Sequence, residues 1–263
     1  MSRARRRTPA LVLVAACLAV LFFAIPLFGL LQRADWSTLW GRLTTAEARD
    51  ALRLSLICSV AAAGLSIAFG TPLAWALARS PMPARPLVRG LVLLPMVLPP
   101  VVGGVALLAA FSLRSPIGGW LHDVFGLQLT FSTAGAVVAA TFVSMPFYVI
   151  TVEGALRSMD RRFEDVAASL GAGRTTVFRR VTLPLIAPSV VAGAVLAWAR
   201  ALGEFGATIT FAGNITGRTR TLPLAVYLEL ETDQQGAIAL SLVLLAVSLA
   251  VLVSLRDRWM GVP

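Results

Sequence analysis

The sequence predicts an all-α, polytopic integral membrane protein with about six transmembrane helices. Of its 263 residues, 57% are hydrophobic and 14% are charged, whereas soluble domains carry about a quarter of charged residues. Six apolar runs are long enough to cross a bilayer, because about 20 helical residues span a hydrocarbon core of about 30 Å. These runs cover residues 10–31, 51–78, 87–111, 131–152, 186–210 and 236–255. Backbone groups in lipid must bond internally, so each run is predicted to be helical.

The first run has two interpretations, because it follows a basic N-terminus. Arg3, Arg5, Arg6 and Arg7 precede it, and the segment 14–17 resembles a lipoprotein cleavage box. The apolar core of a cleaved signal is about 7–15 residues long, and here the apolar sequence continues to residue 31. We therefore interpret the run as a retained first helix, with a cleaved signal as the alternative.

The third run contains three prolines and two glycines within ten residues. They are Pro95, Pro99, Pro100, Gly103 and Gly104. Proline removes a helical hydrogen bond and bends the backbone. In membranes such irregular segments either pack against a neighbouring helix or line a substrate path, and both interpretations remain open.

The basic residues predict the orientation and exclude several functions. All 23 are arginines, so the chain lacks the lysine of a phosphate-binding P-loop. They cluster between apolar runs, which favours a membrane surface over nucleic acid. With the N-terminus inside, the cytoplasmic segments hold 15 arginines and the opposite segments hold six, so both termini are predicted to be cytoplasmic. The two cysteines lie in apolar runs and the only histidine is isolated, so no metal site is predicted.

A loop of about thirty residues, 153–185, separates the fourth and fifth runs. Asp160 is placed to cap a short helix over 161–170, and Gly171 is placed to end it with a positive φ. On that helix an apolar stripe falls at i, i+3, i+4 and i+7. The stripe consists of Phe163, Val166, Ala167 and Leu170. A second amphipathic helix is predicted near 175–181, with Pro184 ending it.

This loop resembles the EAA loop of ABC-importer permeases. The resemblance lies in the segment Glu164-Asp165-Val166-Ala167-Ala168-Ser169-Leu170-Gly171, followed after eleven residues by Leu183-Pro184. Asp165 and Val166 stand where that family more often has alanines. In the family, the loop forms coupling helices that dock onto the ATP-hydrolysing subunit. The resemblance therefore implies an ATPase-coupling surface that includes Phe163, Glu164, Ala167, Leu170, Gly171, Leu183 and Pro184.

Two other segments resemble the permeases of molybdate importers. They are residues 93–104 and the stretch Arg200-Ala201-Leu202-Gly203-Glu204-Phe205-Gly206-Ala207-Thr208 with the loop that follows it. Sulfate/thiosulfate permeases are similar, but more often carry tyrosine and serine around the Gly-Glu pair, so Phe205 and Ala207 favour molybdate. Tungstate cannot be separated from molybdate on this basis.

The resemblance implies a type I ABC importer permease fold, with residues 1–263 forming one transmembrane domain in the bacterial inner membrane. It also implies a homodimer, two ATP-binding subunits and an extracytoplasmic oxyanion-binding protein. ATP and Mg would then bind to the partner ATPase subunit, and no cofactor to this chain. The implied translocation path or dimer axis contains Pro95, Pro99, Pro100, Gly103, Arg200, Glu204 and Phe205.

Arg200 and Glu204 lie four residues apart in the fifth run, so they can pair on one helical face. Ionisable groups at membrane depth are costly and mark functional sites. One interpretation is a self-satisfied pair that packs the dimer. The other is that Arg200 lowers the barrier for a dianion, while Glu204 holds the arginine in place and prevents tight binding.

A secondary transporter driven by an ion gradient is the main alternative outside this class. It would carry inverted repeats and midplane carboxylates for the coupling ion. No repeat is visible, and Glu204 is the only acidic residue that we place well inside a predicted helix. An intramembrane enzyme would need converging catalytic groups at depth, which the sequence does not offer. We therefore expect a permease subunit and not an enzyme.

Overall fold

The computed structural model describes residues 10–260, without the side chains of residue 252 and of residues 254–260. The arginines at positions 3–7 therefore lie outside the described residues. Within the described range the chain forms helices and no strand. The helices are α1 (Ala10–Arg33), α2 (Leu39–Leu43), α3 (Ala46–Arg79), α4 (Arg85–Val97), α5 (Pro100–Phe111), α6 (Pro116–Phe125), α7 (Thr133–Ser158), α8 (Arg162–Ser169), α9 (Arg174–Val177), a π segment (Phe178–Thr182), α10 (Leu183–Leu202), α11 (Gly206–Phe211), α12 (Leu222–Thr232) and α13 (Gln234–Met260).

Five helical stretches in the described residues are long and apolar enough to cross a membrane: α1, α3, α7, α13 and the continuous stretch from α9 to α10. A sixth is counted if α5 and α6, which meet at a bend of 58°, form one span. The predicted third run corresponds instead to α4 and α5. Val88 and Val92 of α4 pack near the Leu156 end of α7, and Leu107 of α5 packs near the Ala139 end. Together α4 and α5 therefore follow α7 along its length.

Helix α7 lies at the centre of the bundle, between α3 and α10. Ala62 of α3, Ala140 of α7 and Ala201 of α10 form one buried cluster. Tyr148 of α7 is fully buried, and its hydroxyl lies 2.6 Å from that of Thr71 on α3. Small residues such as these three alanines let membrane helices approach closely. We call the end of the bundle that carries α8 the loop end, and the opposite end the far end.

Helix starts at the far end follow capping signals in the sequence. The hydroxyls of Thr45, Ser115 and Ser132 each accept the backbone N–H three residues later, which satisfies a donor that the first helical turn leaves unpaired. In the segment after α1, Asp35 accepts hydrogen bonds from the Ser37 and Thr38 hydroxyls, which lower the pKa of Asp35 below its usual value. Two long spans, α3 and α7, therefore begin with hydrogen-bonded caps.

Two of the predicted spans are interrupted. α4 ends at Val97, and Leu98 and Pro99 are extended before α5 begins at Pro100. A residue before proline avoids the helical region, and here Leu98 precedes Pro99 while Pro99 precedes Pro100, so both leave the helix. The predicted fifth run, 186–210, was wrong as a single helix, because α10 ends at Leu202 and α11 begins at Gly206.

The prediction that Pro184 ends a second short loop helix was wrong. The chain is helical without a break from Arg174 to Leu202. In the π segment the turn widens, and the Leu183 N–H donates to the Phe178 carbonyl, five residues back. Pro184 then sits in the first turn of α10, where the wider turn accommodates a ring that has no N–H to donate.

The loop between the fourth and fifth predicted runs is also shorter than predicted. α7 continues to Ser158, so Glu153 lies inside this helix and not in the loop. The connection that leaves the helical bundle is therefore mainly α8 with its flanking turns.

Candidate functional site: the α8 loop and the paired helix breaks

The local structure of α8 follows its sequence signals closely. The Arg162 N–H donates to Asp160 Oδ1 at 3.0 Å, as expected for a capping aspartate. Gly171 has φ +86°, which confirms the predicted positive φ. The Ala172 N–H then closes the helix by donating to the Ala167 carbonyl, the arrangement that a left-handed glycine permits.

The apolar stripe of α8 is exposed. Phe163 is 56% exposed, Val166 59% and Leu170 83%, whereas Ala167 is half-buried. These three large side chains lie outside the spans, on α8 and its C-terminal cap. A contiguous exposed apolar surface of this kind is typical of a protein interaction site.

Glu164 is directed to the inner side of α8, toward the bundle. The Thr182 hydroxyl donates to Glu164 Oε1 at 2.7 Å, and Arg79 Nε lies 3.3 Å from Glu164 Oε2. Arg161 of the same loop donates from Nη2 to the Ala78 carbonyl at 3.5 Å. The loop is therefore attached to the end of α3 and to the π segment.

Leu183 and Pro184 do not lie on the exposed stripe. They form the first turn of α10, directly after Thr182. Leu183 is half-buried and Pro184 is exposed. Of the predicted coupling residues, the structure thus groups Phe163 and Leu170 on one face and places Glu164 and Leu183 behind it.

The two helix breaks meet inside the bundle. A Cβ added at Gly206 would lie 2.7 Å from the Pro100 Cβ and 3.2 Å from the Val101 nitrogen. A Cβ at Gly104 would lie 2.7 Å from the Thr210 Cβ and 2.9 Å from the Ala207 carbonyl oxygen. The first turns of α5 and α11 are therefore in near backbone contact, which only glycine permits at these positions.

Arg200 and Glu204 form an ion pair across the second break. Arg200 Nη1 lies 2.9 Å from Glu204 Oε2, which confirms that the two side chains pair. Glu204 Oε1 accepts the Ala207 N–H at 2.8 Å, so this carboxylate also holds the start of α11. The Glu204 side chain is 2% exposed and that of Arg200 is 29% exposed. The pair joins a helix end to the next helix, instead of lying on one helical face as predicted.

Of the other predicted path residues, Gly103 and Phe205 lie near this junction of α5, α10 and α11, whereas Pro95 does not. Gly103 faces the Phe142 ring of α7, and the Phe205 ring packs 5.1 Å from the Tyr227 ring of α12. Pro95 lies in the wall of an apolar cavity of about 390 Å³ between α3, α4, α5 and α7. The structure thus brings Pro100, Arg200 and Glu204 together, and Pro95 apart from them.

Sequence reasoning missed Glu153. Its side chain is 2% exposed, Arg157 Nη2 lies 2.7 Å from Oε1 and Arg89 Nε lies 3.6 Å from Oε2. The expectation that only Glu204 lies well inside a helix was therefore wrong. The i, i+4 spacing of Glu153 and Arg157 was the available signal. This buried carboxylate joins α4 to α7 at the loop end.

Comparison with known families assigns the chain. The family described as "Binding-protein-dependent transport system inner membrane component" matches residues 66–261. The chain belongs to this family. With the helices described above, membership makes it a multi-pass membrane protein.

Two relatives within the transport family illustrate the range of similarity. The molybdenum transport system permease protein ModB of Mycobacterium bovis is 48% identical over 250 residues, which cover 95% of this chain and 94% of ModB. The sulfate transport system permease protein CysT of Salmonella typhimurium is 36% identical over 245 residues, covering 93% of this chain and 88% of CysT. The similarity therefore extends over nearly the whole length of each protein.

Solved structures confirm the predicted type I ABC importer permease fold. A chain of a bacterial ABC transporter involved in the import of alginate matches with a TM-score of 0.73 and 19% identity, covering 96% of this chain and 95% of that one. The same kind of transporter in complex with an alginate pentasaccharide-bound periplasmic protein gives 0.72, also at 19% identity, covering 96% and 94%. At this identity the match establishes the fold alone.

Proposed function

We propose that this chain is the channel-forming permease subunit of an ATP-driven importer and that its substrate is molybdate. The observation that carries the proposal is the 48% identity to a molybdenum permease along 94% of that protein, against 36% to a sulfate permease. Phe205 and Ala207, beside the buried Glu204, agree with the molybdate assignment. Tungstate has the same charge and shape and is expected to follow the same path.

A partner subunit supplies the ATP hydrolysis in this proposal. The chain has no lysine and so no P-loop, which supports the binding of ATP and Mg by the partner. The exposed Phe163, Val166 and Leu170 of α8 offer this partner a compact apolar surface. The complete importer consists of two copies of this chain, two ATPase subunits and an extracytoplasmic oxyanion-binding protein. In the bilayer, the loop end faces the cytoplasm, as the arginine distribution favours.

The geometry of the α5–α10–α11 junction suits the passage of a dianion. Arg200 offers a positive charge and is partly exposed, while Glu204 is buried behind it. Ala201, next to Arg200, packs with Ala62 and Ala140 in the middle of the bundle, so the charge lies at membrane depth. An arginine there lowers the electrostatic barrier for an anion. Its pairing with Glu204 leaves the charge partly compensated, so the anion passes without being held.

Uptake by the reconstituted complex tests the proposed function. Proteoliposomes containing the chain, its ATPase subunits and internal ATP should accumulate labelled molybdate only when the binding protein is added outside. Tungstate should compete, and sulfate at equal concentration should not. Sulfate uptake at comparable rates would move the substrate assignment to the sulfate family. Accumulation driven by an ion gradient without ATP would support a secondary transporter instead.

A further inference from the structure

We propose that Glu164 is a positioning residue that transmits movement of α8 to α3 and α10 at the same time. We call Arg79, Glu164 and Thr182 the Glu164 link. This inference rests on the proposed function, because it concerns how ATP-driven movement of a partner reaches the spans. It assigns Glu164 a role behind the docking surface and not within it.

The two carboxylate oxygens of Glu164 contact two different elements. Oε1 accepts from the hydroxyl of Thr182, at the end of the π segment that continues into α10. Oε2 lies 3.3 Å from Nε of Arg79, in the last turn of α3. A displacement of α8 therefore acts on the bases of both long helices through one side chain.

The Glu164 link is shielded from solvent. The Arg79 side chain is 8% exposed and that of Glu164 17%, and Thr182 is 1% exposed. Within residues 10–260, Arg79 Nε and Nη2 are buried and form no hydrogen bond, so the contact of Arg79 with Glu164 is an ion pair. The guanidinium therefore depends on Glu164 for compensation of its charge, and a buried charge left without its partner is strongly destabilising. A buried ion pair is also screened less by solvent and salt than an exposed pair.

The other face of α8 is free for a partner. Phe163, Val166 and Leu170 are exposed on the face away from the bundle, while Glu164 and the Arg161 contact to Ala78 hold the inner face. Docking and transmission are thus carried by different residues of α8 and its C-terminal cap. This separation makes the two roles distinguishable by mutation.

Three variants test the Glu164 link in the complete complex: Glu164→Gln, Arg79→Gln and Thr182→Val. The measured quantities are the amount of ATPase subunit that co-purifies and the ratio of ATP hydrolysis with and without loaded binding protein. We expect the ATPase subunits to remain bound while the stimulation ratio falls several-fold. The double variant Arg79→Gln with Glu164→Gln should lose no more than either single variant, since the two residues share one interaction. Arg79→Lys, which keeps the charge, should recover part of the stimulation.

Controls separate this inference from a general defect. Arg174→Gln, at an exposed arginine of the same loop, should keep the wild-type stimulation ratio. Thr182→Val removes one hydroxyl at nearly constant volume, so it tests the link even if the charge variants assemble poorly. Wild-type stimulation in Thr182→Val and Glu164→Gln, or loss of ATPase subunits in proportion to lost stimulation, would overturn the proposal. A wild-type complex that responds to no loaded binding protein would overturn the proposed function itself.

Discussion

Glu204 occupies both of its carboxylate oxygens at membrane depth. Oε1 accepts the Ala207 N–H, and Oε2 pairs with the charge of Arg200 without forming a hydrogen bond. A carboxylate removed from water is costly unless it is paired with an opposite charge and hydrogen-bonded, and Glu204 is both. The local geometry therefore explains why this residue can be buried, and it leaves Arg200 as the member of the pair that is partly exposed.

Neutralising Glu204 should abolish its ion pair with Arg200 and keep its hydrogen bond to Ala207. In Glu204→Gln the amide oxygen can still accept from Ala207, but Arg200 loses its counter-charge. Because Arg200 is partly exposed, we expect a loss of about 1–3 kcal/mol in stability, at or below the usual range for a broken buried pair. The double variant Arg200→Gln with Glu204→Gln should be more stable than Glu204→Gln alone. Thermal unfolding in detergent measures both.

Arg218→Gln, at an exposed arginine beyond the junction, is the matched control and should unfold like the wild type. If the single and double variants also match the wild type in unfolding and in transport, the Arg200–Glu204 pair faces water and is not structural.

The pair itself was predictable, because its members are four residues apart. The partners of Glu164 were not, because Arg79 comes from a distant helix and only the folded bundle brings it close.

Helices α5 and α11 depend on glycine for their contact. Gly206 approaches Pro100 and Val101, and Gly104 approaches Ala207 and Thr210. Each glycine thus faces the opposite helix near its first turn. The two interrupted spans therefore pack tightly against each other beside their breaks. This contact fixes the positions of Arg200 and Glu204.

Adding one methyl group at Gly206 should disturb this contact. The new Cβ in Gly206→Ala would meet the Pro100 Cβ at 2.7 Å, and overpacking of this kind costs about 1–3 kcal/mol. The melting temperature of the purified chain should fall. Gly90→Ala is the matched control, because a Cβ at Gly90 meets nothing within 4 Å. Equal melting temperatures for the two variants would show that α11 can move away from α5 at no cost.

The elements differ in how well sequence predicts them. The long apolar runs predicted the spans, because a single segment in lipid can pair all of its backbone groups only as a helix. The break at Pro99 follows from the two consecutive prolines. Pro184 misled the prediction, because a local rule for proline cannot foresee the π turn that accommodates it. The end of α10 at Leu202 also carried no strong signal, since Gly203 is the only unusual residue there and Glu204 forms its contacts only in the folded chain.

The proposed orientation of the bundle in the membrane rests on the asymmetric distribution of arginine. The segments assigned to the cytoplasm, which include the α8 loop, hold 15 arginines, and the opposite segments hold six. Positively charged loops are retained in the cytoplasm during insertion. The proposal thus places α8 where an ATPase can reach it.

Labelling of single cysteines in intact cells tests this orientation. In a background with Cys17→Ala and Cys58→Ala, a cysteine in place of exposed Thr216 at the far end should react with a membrane-impermeant maleimide. A cysteine in place of exposed Ser169 in α8 should react only after the cells are opened. Reaction of Ser169→Cys in intact cells would reverse the orientation.

The unbroken helix from Arg174 to Leu202 can act as a lever. Its 29 residues rise about 43 Å, so a sideways shift of about 3 Å at the loop end tilts the rod by about 4°. Thr182 lies near the end that the partner subunit would move in the proposed mechanism, and Arg200 lies near the opposite end. A displacement no larger than one side chain would therefore be enough to change the angle at which the Arg200 guanidinium meets an approaching anion. No span would need to unfold, because the break after Leu202 provides the pivot.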